Sequence, residues 1–304
     1  MWIMNDQKDL DKFEQLHIDV ARNATDDFNL FHDSKKWQLI KHNPFNGPIA
    51  LGFQLEGLIE NKVLFYRELY NENQLVKKYN LRFSNYQFSF VNAVRAGESI
   101  NVEIRSSRFT QSNSPRLSNR VIMKANGRLV LFGSKIESQS PIFLANSSFS
   151  FIKDMRYHSD RSFLRDTRFF LKRKFMNTSN AKNFLCGSLV DQAIYIDEVE
   201  NKVNFSEIFP CSFISCALLE KASKEKHDFK RNPMVYASHK ISVDRELLSV
   251  LKSNTALHIL VKESEKDSNL FECYGLINNN EILFSALISL VPLELLVNSV
   301  KRAN

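Results

Sequence analysis

Hydrophobic and polar positions follow a helical period in some stretches of the chain and a two-residue period in others. Residues 8–23 carry apolar side chains at helical spacing, which predicts an amphipathic helix. Residues 52–60 are apolar around more than one helical face, so this second helix is expected to be buried. Its exceptions are Glu56 and Glu60, which we expect at a helix edge or in solvent.

Alternating apolar side chains predict strands at residues 84–94 and 99–106. Residues 120–137 form two apolar runs that are separated by Asn126 and Gly127. An Asn-Gly pair between apolar runs is a strong signal for a β-hairpin. A helix that is followed by several antiparallel strands is an α+β arrangement.

The later part of the chain repeats this order of elements. Residues 209–220 echo the helix region at 49–60, and residues 234–243, 256–263 and 270–290 echo the strands. We therefore expect one half at residues 1–140, a second half at 160–304, and a serine-rich connection at 141–159.

Candidate chemistry is concentrated between residues 23 and 60. Asp27, Asn29 and His32 are spaced D-x-N-x-x-H, and a turn with Ile49 and Gly52 leads into the buried helix. A carboxylate and an imidazole ahead of a glycine-opened helix are typical of an acid/base pair beside an anion-stabilising helix terminus. Asp and Asn also cap and turn ordinary loops, so the spacing by itself leaves a purely structural loop open.

This stretch resembles the MaoC-like (R)-specific enoyl hydratase/dehydratase family of hot-dog proteins. The family motif runs roughly G-D-x-N-P-x-H, followed by a P-I-x-H-G-like turn into a central helix. The matching residues of this sequence are Asp27, Asn29, His32, Pro48, Ile49 and Gly52. The sequence departs from the motif at three positions, where it carries Asp26, Leu30 and Leu51.

The resemblance implies a double hot dog, in which two antiparallel sheets each wrap a central helix within one chain. It implies a dehydratase or hydratase of 3-hydroxyacyl or enoyl thioesters, in fatty acid or polyketide metabolism, with Asp27 and His32 as the acid/base pair. The Gly52 N–H would hold the thioester carbonyl, and the other substrate contacts would come from Asn29, Ile49 and Phe53. No metal or bound cofactor is implied beyond the coenzyme A or phosphopantetheine that carries the substrate.

The second half is expected to be degenerate. In the register of the repeat, Gly187 and Gln192 fall at the positions of Asp27 and His32, so the acid/base pair is missing there. The histidines of this half have no carboxylate partner in the sequence and are expected to be structural; they are His227, His239 and His258. The chain would then be a monomeric pseudo-dimer or form a homodimer.

The net charge of +7 favours an anionic partner. Because no nucleic-acid motif is visible, we expect an acyl-CoA or an acyl carrier protein. Residues 153–174 are strongly basic, and the candidate phosphate or carrier contacts are Arg165, Arg168, Lys172, Arg173 and Lys174. A solvated surface is the alternative interpretation of this segment.

The N-terminus turns acidic at once and shows no apolar signal-peptide region, and no apolar run is long enough to span a membrane. The chain is therefore expected to be cytoplasmic. The four cysteines form no C-x-x-C pair, which favours buried, reduced thiols.

Two other functions are compatible with the same fold. A hot-dog thioesterase would activate water with a carboxylate on or near the central helix, such as Glu56 or Glu60. A non-catalytic acyl-thioester-binding accessory protein would retain the fold without the chemistry. The retained Asp27 and His32 favour the dehydratase, whereas the departures at Leu30 and Leu51 favour the alternatives.

Overall fold

A computed structural model describes residues 11–145, 147–149, 152–165 and 167–295 of the chain. The elements of the first half, in chain order, are β1 (Asp11–Lys12), α1 (Gln15–Thr25), α2 (Gly52–Leu69), α3 (Asn73–Lys78), β2 (Phe83–Phe90), β3 (Ser99–Ile104), β4 (Arg108–Thr110), β5 (Arg116–Ala125) and β6 (Arg128–Ser138). Short 3-10 turns at Leu30–His32 and Lys36–Leu39 lie between α1 and α2.

The elements that follow repeat the pattern. They are β7 (Ser162–Phe163), β8 (Phe170–Met176), α4 (Thr178–Gly187), β9 (Ile196–Asp197), β10 (Lys202–Val203), α5 (Ile208–Lys224), β11 (Met234–Asp244), α6 (Arg245–Ser249), β12 (Thr255–Glu263), β13 (Leu270–Ile277) and β14 (Glu281–Pro292). Further 3-10 turns lie at Met155–Tyr157 and Gln192–Ile194.

One 12-stranded antiparallel sheet contains strands from both halves. Its order is β1-β3-β5-β6-β2-β11-β14-β13-β12-β8-β7, with β4 paired to β5. The halves meet edge to edge where β2 pairs with β11, and Tyr86 lies opposite Ile241 at this junction. The predicted α+β double hot dog, with two sheets joined at their edges, is confirmed.

Helices α2 and α5 are the central helices, and they pack against each other. Phe53, Leu58 and Ile59 of α2 are at most 1% exposed, as are Phe209 and Phe213 of α5. Side chains of both helices and of both sheet halves form a single apolar core. The predicted burial of α2 is therefore confirmed, although Glu56 and Glu60 are buried rather than solvated.

The end of the basic segment departs from the solvated-surface alternative, although Arg165 and Arg168 earlier in the segment are exposed. Residues Phe170–Met176 form β8, which pairs with β12. Lys172 and Lys174 alternate with Leu171 and Arg173 along the strand, and the two lysines are buried. Their charges are neutralised by acidic side chains, as described below.

The structure also corrects the register of the repeat. The Asp27 N–H donates to the Arg22 carbonyl, just as the Val190 N–H donates to the Leu185 carbonyl at the end of α4. The two 3-10 turns that follow are capped in the same way by side chains. Val190 and Ile194, rather than Gly187 and Gln192, therefore correspond to Asp27 and His32, and the second loop is one residue shorter between these positions. A shift of a few residues leaves the apolar pattern unchanged, so the sequence could not resolve it.

The predictions for helix α1 and for the buried cysteines are only partly confirmed. Helix α1 begins at Gln15, and the residues that precede 11 in the predicted helix lie outside the described part of the chain. Cys186 is exposed, whereas Cys211, Cys216 and Cys273 are buried, and all four thiols are free.

Within the described ranges, every helix is too short or too polar to cross a membrane.

The close packing of α4 on α1 can be tested at Gly187. A Cβ at this position would lie 2.7 Å from the Ala21 Cβ and 2.8 Å from both the Ala21 nitrogen and the His17 carbonyl oxygen. We expect Gly187→Ala to lower the free energy of unfolding by about 1–3 kcal/mol, because the backbone of α1 must move. Urea denaturation measures this change.

Gly47→Ala is the matched control, because no atom lies within 4 Å of the added methyl group. Its stability should stay within roughly 0.5 kcal/mol of the parent protein. Equal stability of both variants would contradict the tight α1–α4 contact.

Candidate active site

The motif loop begins where α1 ends at Asp26, which adopts a left-handed conformation with φ of 53°. This is the position at which the family motif has glycine, and Asp is among the residues that tolerate it. The Asp26 carboxylate forms an ion pair with Lys174 of β8. The departure from the motif is therefore accommodated by a contact with the second half.

Local hydrogen bonds hold the rest of the loop. The Asn29 N–H donates to the Asp27 Oδ1 at 2.9 Å, and the Phe31 N–H donates to the Asn29 Oδ1 at 3.2 Å. Such side-chain-to-backbone bonds are what Asp and Asn supply in turns. They form the short turn that carries His32, and Asn29 caps this turn.

Asp27 and His32 converge at the end of this loop. The His32 Nε2 lies 3.9 Å from the Asp27 Oδ2, and both side chains are buried. The His32 Nδ1 lies 2.8 Å from the Ile49 carbonyl oxygen. Because a carbonyl can only accept, the Nδ1 carries a proton, and the Nε2 is the nitrogen that faces the carboxylate.

Gly52 is the first residue of α2. The preceding Leu51 N–H donates to the Gln54 Oε1 at 3.2 Å, whereas the Gly52 N–H donates to no group among the described residues. Free N–H groups at a helix start carry partial positive charge and can bind an oxyanion. A Cβ on Gly52 would lie 3.2 Å from the Phe90 ring and 3.4 Å from the His239 Cε1, so a larger residue would crowd this position.

A cleft of about 1130 Å³ lies between the two halves. His32 and Gly52 line it from the first half, and Ser215 and Tyr236 line it from the second. Most of the other lining residues are apolar, and they include Phe45, Leu55, Phe90, Leu218, Phe271 and Leu290. Asp27 does not itself line the cleft and is buried next to His32.

The structure places the remaining predicted substrate contacts at different depths. Asn29 and Ile49 line the cleft together with Gly52. Phe53 does not: its ring is 1% exposed and stacks on His239 at a centroid distance of 4.6 Å. The prediction that Phe53 contacts substrate is therefore corrected, because helix α2 turns this side chain into the core.

Two polar residues of the cleft were missed by the sequence analysis. Tyr236 and Ser215 are joined by a hydrogen bond between their hydroxyl groups at 2.6 Å. Burial raises the pKa of Tyr236 well above its usual value, and the negative charge of Asp27 adds to this effect. Both residues come from the second half and reach the motif loop only through the β2–β11 junction, so no local sequence signal indicates them.

The predicted phosphate contacts lie elsewhere. Lys172 pairs with Glu220 at 3.0 Å, Lys174 pairs with Asp26, and Arg173 donates to the His258 Nε2 at 3.1 Å. Arg165 and Arg168 are exposed. None of these five residues, all within the described ranges, lines the cleft. The first three are occupied by internal partners, which corrects the expectation of a phosphate contact there.

The cleft has other basic residues. Arg95 and Arg128 line it, and each guanidinium bonds to the buried carboxylate of Glu98, at 2.8 Å and 2.9 Å. Two cations share one anion, so a net positive charge remains at this end of the cleft. Lys221 also lines the cleft, but its ammonium group is paired with both Glu225 and Glu263.

The two glutamates of α2 have different surroundings. Glu56 is fully buried, and its Oε1 lies 3.0 Å from the Nδ1 of His239, so this histidine does have a carboxylate partner. Glu60 accepts hydrogen bonds from the N–H groups of Glu207 and Ile208, at 2.8 Å and 3.0 Å, at the start of α5. Glu60 thus caps the central helix of the other half.

Comparison with known proteins supports the fold. No family model and no curated protein sequence matches this chain. Among solved structures, a conserved hypothetical protein from Mycobacterium tuberculosis with a double hot-dog fold is 10% identical, with a TM-score of 0.56 over 92% of this chain and 93% of that one. A structure named MaoC-like dehydratase is 10% identical, with a TM-score of 0.53 over 94% and 96% of the chains.

The peroxisomal multifunctional enzyme type 2 from Drosophila melanogaster is also similar, at 10% identity and a TM-score of 0.52. The match covers 93% of this chain and 48% of that one, so the chain spans about half the length of that enzyme. At such low identities, the likeness shows the fold and leaves the activity to be argued from the residues. The fold implied by the resemblance to MaoC-like proteins is confirmed.

The burial of Glu60 makes the stability of the protein depend on pH. Burial, together with the nearby charge of Glu207, raises the pKa of Glu60 from 4.5 to about 7. A raised pKa means that the folded protein binds this proton more tightly than the unfolded chain does. The corresponding stability is fully present below pH 4.5 and is lost as the pH rises through about 7.

We expect the free energy of unfolding to fall by roughly 3 kcal/mol over this pH range on account of Glu60. Glu60→Gln should lose this part of the pH dependence, as measured by urea denaturation at several pH values. Glu68→Gln, at an exposed position of the same helix, is the control and should retain it. An unchanged slope in Glu60→Gln would show that the carboxyl group titrates normally.

Proposed function

We propose that the protein is a dehydratase or hydratase that acts on 3-hydroxyacyl or enoyl thioesters, with Asp27 and His32 as its acid/base pair. The observation that carries this proposal is that His32 and the Gly52 N–H line one cleft, with the Asp27 carboxylate beside His32. The Asp27 carboxylate and the His32 Nε2 lie 3.9 Å apart, and the cleft also contains the unbonded Gly52 N–H. The similar folds of MaoC-like dehydratases agree with it.

The chemistry needs these three groups. Loss of water from a 3-hydroxyacyl thioester breaks a C–H bond next to the carbonyl and the C–O bond of the hydroxyl group. A base takes the carbon-bound proton, an acid gives a proton to the departing hydroxyl, and a C=C bond forms as water leaves. Negative charge that develops on the carbonyl oxygen is stabilised by the Gly52 N–H and the positive end of α2.

His32 and Asp27 can share the two proton transfers. The bond from the His32 Nδ1–H to the Ile49 carbonyl fixes the ring, so the Nε2 can take or give a proton. Asp27 is held by the Asn29 N–H on one oxygen, and its other oxygen points towards His32. The geometry is equally consistent with either residue as the base, and the two roles exchange when the reaction runs as a hydration.

The cleft suits an acyl thioester carried on coenzyme A or on an acyl carrier protein. Its volume of about 1130 Å³ and its apolar walls fit an acyl chain with its pantetheine arm. The guanidinium groups of Arg95 and Arg128 keep unbonded N–H groups, and such groups bind phosphate well. We therefore assign the phosphate contact to these two arginines.

The thioesterase alternative is less compatible with the geometry. A hydrolytic base must be free to reach a water molecule beside the thioester, yet Glu60 is bonded to the start of α5 and Glu56 is paired with His239. A non-catalytic accessory protein would keep the cleft and bind a thioester without turning it over. The variants described next distinguish these possibilities.

The acid/base pair is tested by Asp27→Asn and His32→Ala. Each change should lower kcat by about a hundredfold or more, the usual size of a general acid–base contribution. The double variant should be little worse than either single variant, because the two groups act as a unit. Substrate affinity should change far less than kcat, since the walls of the cleft and the Gly52 N–H remain.

The matched control is Asp191→Asn, which changes the corresponding turn in the second half. It should leave kcat unchanged. If the parent protein binds a thioester but turns none over, the dehydratase proposal fails and the accessory protein takes its place. Release of free thiol would instead identify a thioesterase.

The phosphate contact is tested by Arg95→Gln and Arg128→Gln, each made singly so that Glu98 keeps one partner. Each change should raise KM for an acyl-CoA about tenfold at low salt, with little effect on kcat, because a charge-assisted hydrogen bond is lost. Arg165→Gln and Arg168→Gln are controls of the same charge that lie outside the cleft. An equal rise of KM in all four variants would indicate a general charge effect.

A further inference from the structure

A second pair of titratable side chains lies directly below the cleft. Glu56 belongs to α2 of the first half, and His239 belongs to β11 of the second. The Glu56 Oε1 and the His239 Nδ1 are 3.0 Å apart, and both side chains are 0% exposed. Among the described residues, the Glu56 Oε2 and the His239 Nε2 have no hydrogen-bond partner.

Aromatic rings surround the imidazole. Phe53 stacks on it at 4.6 Å, and Phe90 and Tyr236 meet it edge-on at centroid distances of 4.8 Å and 4.4 Å. A carboxylate beside a neutral imidazole would leave an uncompensated negative charge in this apolar environment, at a large cost. The pair is neutral either as carboxylate with imidazolium or as carboxylic acid with imidazole, and because the Glu56 Oε1 and the His239 Nδ1 share one proton at 3.0 Å, the Nε2 carries a proton in both forms.

Two further titratable groups lie against the pair. Tyr236 is on the same strand as His239, and Cys211 faces Glu56 from α5. Burial raises the pKa of both groups well above their usual values, so they are neutral at pH 7. The negative charge of Asp27 also acts on Tyr236, and the His239 Nε2–H remains a donor without a hydrogen-bond partner among the described residues.

This donor lies next to the carbonyl-binding position. A Cβ on Gly52 would stand 3.4 Å from the His239 Cε1, the ring atom adjacent to the Nε2. Gly52 is thus packed closely against His239 and the Phe90 ring; Gly52 and Phe90 line the cleft, and His239 lies behind them. Glycine therefore keeps its own N–H open to the cleft and lets the start of α2 lie against the imidazole.

We propose that His239, held by Glu56, is a positioning and charge-stabilising residue that assists the Gly52 N–H in stabilising an oxyanion of a bound thioester. The inference rests on the proposed function in one respect, since it takes the thioester carbonyl to bind at Gly52. Paired donors in a site without water stabilise a developing negative charge far more than either would in water. The second half then supplies part of the active site, although its own acid/base pair is missing.

The test uses acetoacetyl-CoA, a 3-oxoacyl thioester whose enolate absorbs in the ultraviolet. A site that stabilises the oxyanion raises the fraction of bound probe that is ionised, whether or not the protein catalyses dehydration. His239→Gln and Glu56→Gln should lower that fraction on the order of tenfold. His258→Gln, which alters another buried histidine outside the cleft, is the matched control and should leave it unchanged.

Removal of one partner leaves the other buried without a counter-charge, which can prevent folding. The paired replacement Glu56→Leu with His239→Phe removes both charges together, and such apolar replacements are often neutral for stability. It should bind the probe and lose the enolate signal. If it retains the parent's enolate fraction, the inference is overturned.

The two proposals fail separately in this experiment. A His239-dependent enolate signal without any dehydration would support the inference and contradict the proposed function. Dehydration that depends on Asp27, with an enolate fraction that is indifferent to His239, would do the reverse. If acetoacetyl-CoA does not bind to the parent protein, both are contradicted.

Discussion

The pairing of β2 with β11 is the interaction on which the rest of the structure depends. It joins the edges of two sheets, and it places Phe88 opposite His239 and Tyr86 opposite Ile241. This pairing also brings residues of the second half to the start of α2 in the first half. The walls of the cleft come from both halves, so neither half could form the site by itself.

The two central helices differ in the hydrogen bonding of their first N–H groups. The first N–H of α2 stays unbonded and faces a large cleft, whereas the first N–H groups of α5 are bonded to the Glu60 carboxylate. Glu207, next to this cap, is further held by Lys135 and by the Ser84 hydroxyl. With Val190 and Ile194 at the positions of the proposed acid/base pair, the second half has a closed helix start and lacks a matching pair there. The first half carries the proposed acid/base pair, and the second half contributes walls of the cleft.

Features that depend on nearby residues could be predicted from the sequence. The burial of α2, the hairpin at Asn126 and the motif loop each follow from side chains within a few positions of one another. Tyr236 and His239 could not be assigned to the site, because only the long-range register of β2 with β11 brings them there. Lys172 and Lys174 resemble a charged surface in the sequence, but strand alternation turns them to a buried face where acidic residues of distant segments neutralise them. The burial of the Phe53 side chain likewise depends on how helix α2 is rotated about its axis.

The central claim is that the cleft between the halves adds water to, or removes it from, an acyl thioester. The most direct measurement incubates the purified protein with an enoyl-CoA in water labelled with heavy oxygen and determines the mass of the products. We expect a 3-hydroxyacyl-CoA that carries one heavy oxygen atom in its hydroxyl group and keeps its thioester intact. Heavy oxygen in a free carboxylic acid, or recovery of the enoyl-CoA unchanged although it binds, would rule out this activity.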